Sequence, residues 1–492
     1  MVECSFEIAA SPESRMTDFS KRLNNHLTGG RLLAHAQCHI SGAVALLVCA
    51  MIVVPLVGLL FSEGFINFGQ QISFVVLIAW ILRWLVRNAG SPHMAAALVA
   101  ARVGTVLVAT ILIEPYYLSA TGLDAELYHS IGMQISQTLR MNGTFPRTDL
   151  NWGTNGYAIY TAICYLLFGP SRLAVKLMNT GIAAIGSILF YKAYVSYYGR
   201  TSRLLRLLLF FSPTLLYWSS IHGKDPLTFF SLGLGFWGTA KFAKDGSKRG
   251  FITCLFAALC LFLIRPHISC VYLGALSVVF IVRSASAKRT AAMRLAAISC
   301  LALAVLAGNF FVRDYLRDQE SSPSAILERV STQHYALDTG NAALEIPSLL
   351  GWKAALGYLP YGAMTVMFRP FPWESGGLFF KLASLEQLVL TAAEIMFIVY
   401  VLLGLSKGSL PGRRLDASQA SADALTLFVA AFWSGFVLLF TYISGNLGTL
   451  AREKIQLAPF VWCGAFAVAS RYRATRAPAS PCLAGDLERH GE

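Results

Sequence analysis

The sequence predicts an all-α polytopic membrane protein of about 12 transmembrane helices, with outward-facing loops that carry interfacial helices. Composition is the first observation. Of 492 residues, 55% are hydrophobic and 13% charged, with a mean hydropathy of +0.57. A soluble protein carries roughly 25% charged residues, so this chain could not cover a water-facing surface. Patterning is the second: apolar runs close to the roughly 20 residues of a bilayer crossing recur along the chain. The third is that Lys and Arg gather in the short connections between those runs. A cytosolic enzyme, a secreted disulfide scaffold and a disordered protein are excluded. The formal charge of +14 records topology, and no nucleic-acid partner is expected.

In chain order, residues 1–38 are polar and of mixed charge, a cytoplasmic N-terminal arm rather than a cleavable signal. A single transmembrane domain follows over 39–470. Its apolar runs lie near 40–61, 70–87, 94–116, 174–198, 204–221, 226–242, 251–265, 268–283, 293–312, 383–405, 424–443 and 453–470. Two shorter stretches, 154–168 and 351–367, are interrupted by Gly, Pro and polar groups. Six basic connections decide their placement: Arg83/Arg87, Lys192 to Arg206, Lys241 to Arg249, Arg283 to Arg294, Lys407 to Arg414, and the tail 471–492 with Arg471, Arg473 and Arg476. All six share the cytoplasmic side if neither short stretch crosses. Both termini are then cytoplasmic, and loops of about 117–173 and 313–382 face outward. Seven of the ten cysteines lie within apolar stretches, and no spacing suggests zinc or a disulfide framework. No metal site is expected, and a divalent cation is the one cofactor left open.

Charges near membrane depth are costly and mark candidate sites. His222-Gly223-Lys224-Asp225-Pro226 places an imidazole, a cation and an anion in one turn. Asp225 either caps the helix starting at Pro226 or joins Lys224 in a phosphate site at that helix start. Arg265-Pro266-His267 puts a planar guanidinium between two runs, to snorkel or to bind an anion. Phe368-Arg369-Pro370-Phe371-Pro372-Trp373-Glu374 is either an aromatic anchor or a sugar-stacking platform, with Arg369 and Glu374 as polar partners. Asn446 to Lys454 carries Arg452 and Lys454 on the outer side, against the positive-inside bias. They bind a lipid-linked phosphate or pair with outer-loop acids. Asp124-Ala125-Glu126-Leu127-Tyr128-His129 opens an amphipathic helix lying on the outer surface. There Asp124 is either a cap or a base toward an acceptor hydroxyl.

Asp124 and Glu126, followed by the segment from Gly156 to Gly199, resemble membrane glycosyltransferases of the GT-C superfold. The motifs HGKDP, RPH, FRPFPWE and NLGTLAREK resemble polymerase-like membrane proteins of bacterial surface-polysaccharide clusters. The resemblance covers roughly 115–470. It implies Asp124 as catalytic base, with Glu126 as its substitute; the outward charges themselves point to Lys224, Arg265, His267, Arg369, Arg452 and Lys454 as binders of substrate phosphate. His222, Asp225, Trp373 and Glu374 are further candidates. The expected function is an inner-membrane glycosyltransferase that uses a polyprenyl-phosphate-linked sugar or glycan on the external face, in exopolysaccharide or envelope polysaccharide synthesis. Membrane lipids and other polysaccharide-assembly proteins are its expected partners. An O-antigen-type polymerase and a lipid-linked glycan flippase or transporter are the alternatives. Two extra leading spans depart from the GT-C pattern.

Overall fold

The computed structural model describes residues 68–114, 122–146, 150–286, 290–316, 351–374, 378–406 and 417–476. The described chain is about 89% helical, with no strand. The expected arm 1–38, the run 40–61, the connection Lys407 to Arg414 and most of the loop 313–382 lie outside the described residues.

The helices in order are α1 (Phe68–Asn88), α2 (Pro92–Val108), α3 (Gly122–Asn142), α4 (Trp152–Phe168), α5 (Arg172–Tyr198), α6 (Arg203–Phe211), α7 (Pro213–Trp218) and α8 (Asp225–Asp245). They continue as α9 (Lys248–Ile264), α10 (Pro266–Ser286), α11 (Thr290–Leu316), α12 (Trp352–Phe368), α13 (Leu378–Ser406), α14 (Ala417–Ile443), α15 (Leu447–Glu453) and α16 (Ala458–Arg476). Local chemistry sets many of their ends. The hydroxyls of Ser91, Ser171 and Ser247 accept from main-chain N–H groups three residues on, capping α2, α5 and α9. Gly199 and Gly246 close α5 and α8 with φ of 68° and 65°, which glycine adopts without strain.

Among the described residues, seven helices are long and apolar enough to cross a membrane: 69–88, 92–113, 172–198, 266–284, 291–314, 380–403 and 424–443. Of the other described runs, 204–221, 251–265 and 453–470 fall short for identifiable reasons. The run 204–221 is broken at Ser212-Pro213, because proline lacks the N–H that would continue α6. Glu386 of α13 holds the break, accepting from Ser212 Oγ and from the main-chain N–H of Thr214 at 2.9 Å. α9 has 17 residues, and the apolar part of α16 is only 458–470. The two short stretches, α4 and α12, are 17-residue helices. The expected tail begins late, since α16 runs to Arg476.

α5 is the central helix, buried along most of its length and packed on α8. A Cβ on Gly233 would stand 2.6 Å from the carbonyl oxygen of Gly186, so only glycine allows that crossing. Phe190, Phe229, Phe236, Phe428 and Phe460 fill the space around it. The outer helices are exposed on their apolar sides, as at Val75, Val76 and Trp80 of α1, Leu295 and Val305 of α11, and Leu385 and Leu402 of α13. Water would not tolerate so much apolar surface, and lipid does.

The bundle has two unlike ends. At one, Lys192 binds Asn88, Arg206 binds Tyr191 at 3.0 Å, Lys244 binds the Ser196 carbonyl at 2.7 Å, Arg283 binds the Ala243 carbonyl and Arg200 binds the Ser470 carbonyl. The described basic connections thus share one end. The opposite end carries a polar cavity.

Candidate functional site

Four segments supply the charged array at the cavity: the start of α3, the turn before α8, the α9–α10 junction and α15. The approach of α4 to α9 sets its wall. Cβ atoms on Gly153 and Gly156 would fall 2.2 Å and 2.1 Å from the carbonyl oxygens of Ile264 and Leu263. Glycine at both positions lets α4 lie against the last turn of α9 and brings Thr154 to the cavity wall, within reach of Lys224. Trp152 ties the same corner together, donating from Nε1 to the Phe262 carbonyl at 3.1 Å and from its main-chain N–H to Asp314 at 2.9 Å.

Inside this frame the charges form one continuous array. Arg265 donates from Nη2 to Asp225 Oδ1 at 2.6 Å and from Nη1 to Glu453 Oε2. Arg452 donates from Nε to Asp225 Oδ2 at 2.7 Å and from Nη1 to Asp124 Oδ2 at 3.3 Å. Asp225 is fully buried, and its two oxygens serve two different arginines. It therefore does not cap α8, where no side-chain cap bond forms. Burial opposes the charge on Arg452, but Asp225, Glu453 and Asp124 outweigh it and hold its pKa above the usual guanidinium value. A buried charge is stable only with such partners.

The cavity measures about 370 Å³, and Asp124, Tyr128, Thr154, Lys224, Arg265, His267, Asp314, Ser444, Arg452 and Glu453 are among the residues lining it. Five of the residues singled out in the sequence therefore border one space: Asp124, Lys224, Arg265, His267 and Arg452. Lys224 donates to the Thr154 hydroxyl at 2.9 Å and lies over the Tyr128 ring. Burial, then the neighbouring Arg265, lowers its pKa to about 8. His222 sits among Tyr128, Tyr157 and Thr161, with Nε2 3.3 Å from the Thr161 hydroxyl. Burial and the nearby Lys176 lower its pKa to about 3, which makes it a neutral residue below the cavity lining.

The other predicted residues lie elsewhere. Glu126 pairs with Arg172 at 2.6 Å and does not line the cavity. Arg369 pairs with Glu374 at 2.5 Å, and Trp373 is exposed and stacked on Phe371 at 4.7 Å. Lys454 points away from Arg452. Its Nζ donates to the Arg369 carbonyl and to Gln387 Oε1 at 2.9 Å, and burial lowers its pKa to about 7. Arg369, Trp373, Glu374 and Lys454 thus form a second polar group outside the cavity lining.

Sequence reasoning missed Glu453, Thr154, Asp314, Tyr128 and Ser444 as cavity residues. The signal for Glu453 was present, as an acid directly following an outward arginine. No spacing pointed to Ser444, whose Oγ is buried and, among the described residues, has no hydrogen-bond partner.

Among the described residues no group of three or more His, Cys, Asp or Glu side chains is placed to hold a metal ion. No family model matches the chain, and no curated protein or solved structure matches it.

Proposed function

We propose that the protein is an inner-membrane glycosyltransferase of bacterial envelope or exopolysaccharide synthesis, taking its sugar from a polyprenyl-phosphate carrier. The observation that carries this reading is the Asp124 carboxylate at the cavity, half-exposed and oriented by Arg452, with Lys224 on the same wall. Asp124 takes the proton of an acceptor hydroxyl as its oxygen attacks the anomeric carbon. The bond from that carbon to the phosphate oxygen breaks, and Lys224 stabilises the departing lipid phosphate. Tyr128, Phe311 and Phe440 on the cavity wall offer apolar faces for a sugar ring.

The basic end of the bundle faces the cytoplasm by the positive-inside rule, which puts the cavity on the external face. In this arrangement α8, α9, the α6–α7 pair and α16 also cross, and α3 and α4 lie at the outer surface. A transporter reading fits less well, because the cavity charges cluster at one end of the bundle rather than at its middle.

The two arginines at the cavity also fit an O-antigen-type polymerase, which moves a whole glycan between carriers. The lipid-linked glycan that accumulates when the gene is deleted separates these readings. A donor trapped on the external face is expected. A single sugar supports transfer, a full repeat unit supports polymerisation, and trapping on the cytoplasmic face contradicts both.

A further inference from the structure

The two ends of Arg452 are held unequally. Nε donates at 2.7 Å to Asp225, which is fully buried and also holds Arg265. Nη1 reaches Asp124 at 3.3 Å, near the limit of a hydrogen bond, and the Asp124 side chain is 56% exposed. Water competes for such an exposed pair, and it is readily given up. Two other donors stand on the same cavity wall. Lys224 has the Thr154 hydroxyl and the Tyr128 ring as neighbours and, among the described residues, no carboxylate in salt-bridge contact. Ser444 borders the cavity and is 5% exposed, and among the described residues its buried Oγ has no hydrogen-bond partner.

We propose that these residues form a phosphate site in which a substrate phosphate oxygen takes Arg452 Nη1 from Asp124, with Lys224 and Ser444 as the other donors. Binding the phosphate and freeing the Asp124 carboxylate are then one event. Phosphate suits this exchange because its oxygens match the planar guanidinium fork. Asp225 keeps Arg452 in place throughout, so only the exposed contact changes hands. Arg265 is left out of the exchange because its pairs with Asp225 and Glu453 are buried, unlike the exposed Arg452–Asp124 contact. The inference rests on the reading of this cavity as the place of a phosphate-linked donor. It adds that the donor itself unmasks the base.

The test is calorimetric binding to the purified full-length protein in detergent micelles, with farnesyl phosphate, farnesol and inorganic phosphate as probes. Farnesyl phosphate is expected to bind at least about ten-fold more tightly than farnesol, and Lys224→Met to weaken it by about ten-fold. Asp124→Asn removes the competitor and is expected to tighten farnesyl phosphate by about three- to ten-fold. That gain should vanish in the Arg452→Gln background, where there is no Nη1 to compete for. If Arg452→Gln does not fold, Arg452→Lys keeps the charge beside Asp225 without the fork and should also abolish the gain. Asp314→Asn removes a carboxylate from the same cavity without touching Arg452, and its effect should be smaller than that of Asp124→Asn. Inorganic phosphate binding as tightly as farnesyl phosphate, with the same response to the variants, would identify the source as the free anion rather than a lipid headgroup. Equal farnesyl phosphate affinity in Asp124→Asn and wild type overturns the exchange, as does an undiminished gain without the guanidinium. Glycosyl transfer is scored separately. A transfer-dead Asp124→Asn with wild-type affinity sinks the exchange alone, whereas an active Asp124→Asn with tightened binding sinks the base assignment alone.

Discussion

The array of Asp124, Arg452, Asp225, Arg265 and Glu453 and the group of Arg369, Glu374 and Lys454 both place cations against carboxylates, yet they are built differently. The first joins four segments, and its Arg452–Asp124 contact spans 328 positions of sequence. It also borders a cavity of about 370 Å³. The ion pair of the second is local: Arg369 and Glu374 are five residues apart in one proline-containing loop. Its Lys454 is consumed by the Arg369 carbonyl and Gln387. The difference separates charges that assemble a site from charges that fasten a loop to the bundle.

The sharpest way to break this contrast is at Asp225. Asp225→Ala leaves two buried guanidiniums short of a partner and should cost about 3–5 kcal/mol. Thermal unfolding in detergent reads the loss, and an unchanged melting temperature would mean the array is not a structural unit. Gly156→Ala acts on the frame instead. Its methyl would press on the Leu263 carbonyl and displace α4 from α9, for about 1–3 kcal/mol. Binding at the cavity should weaken along with stability, because Thr154 moves with α4.

Proton binding at Lys224 tests the electrostatics more gently. Its pKa of about 8 means that it is a cation below that pH and neutral above it. Asp124 and Asp225 favour its charge, and Arg265 and Arg452 oppose it. Farnesyl phosphate affinity should therefore fall as pH rises through about 8, while the phosphate, with a second pKa near 6, stays a dianion. Lys224→Met should abolish that step, and a step that persists in the variant would assign it to another group. The smallest effect is expected at the local pair. Glu374→Gln should cost less than about 1 kcal/mol and leave farnesyl phosphate affinity unchanged.

The helical membrane class was legible because a low charge fraction and long apolar runs follow directly from the solvent the chain must face. The gathering of basic connections at one end was legible for the same reason. The exact number of crossings was not, since 204–221 reads as one apolar run until Ser212-Pro213 is weighed as a break. At the site, the motifs around 124, 224, 265 and 452 were visible, but which members face each other was not read from spacing. Helix geometry already held part of the answer. Residues two apart on a helix do not share a face, so Asp124 and Glu126 had to diverge, and so did Arg452 and Lys454. Ser444 and Thr154 left no trace in sequence because their role comes from packing, through Gly153 and Gly156 in one case and burial in the other.

The most direct test of the cavity as a working site compares Asp124→Asn with Glu126→Gln in a deletion strain, at matched protein levels. Asp124 borders the cavity, whereas Glu126, two residues on, pairs with Arg172 outside its lining. Polysaccharide production should be lost in Asp124→Asn, with the lipid-linked donor accumulating, and retained in Glu126→Gln. Full production by Asp124→Asn, or an equal loss in both variants, would contradict the assignment of Asp124 as the base.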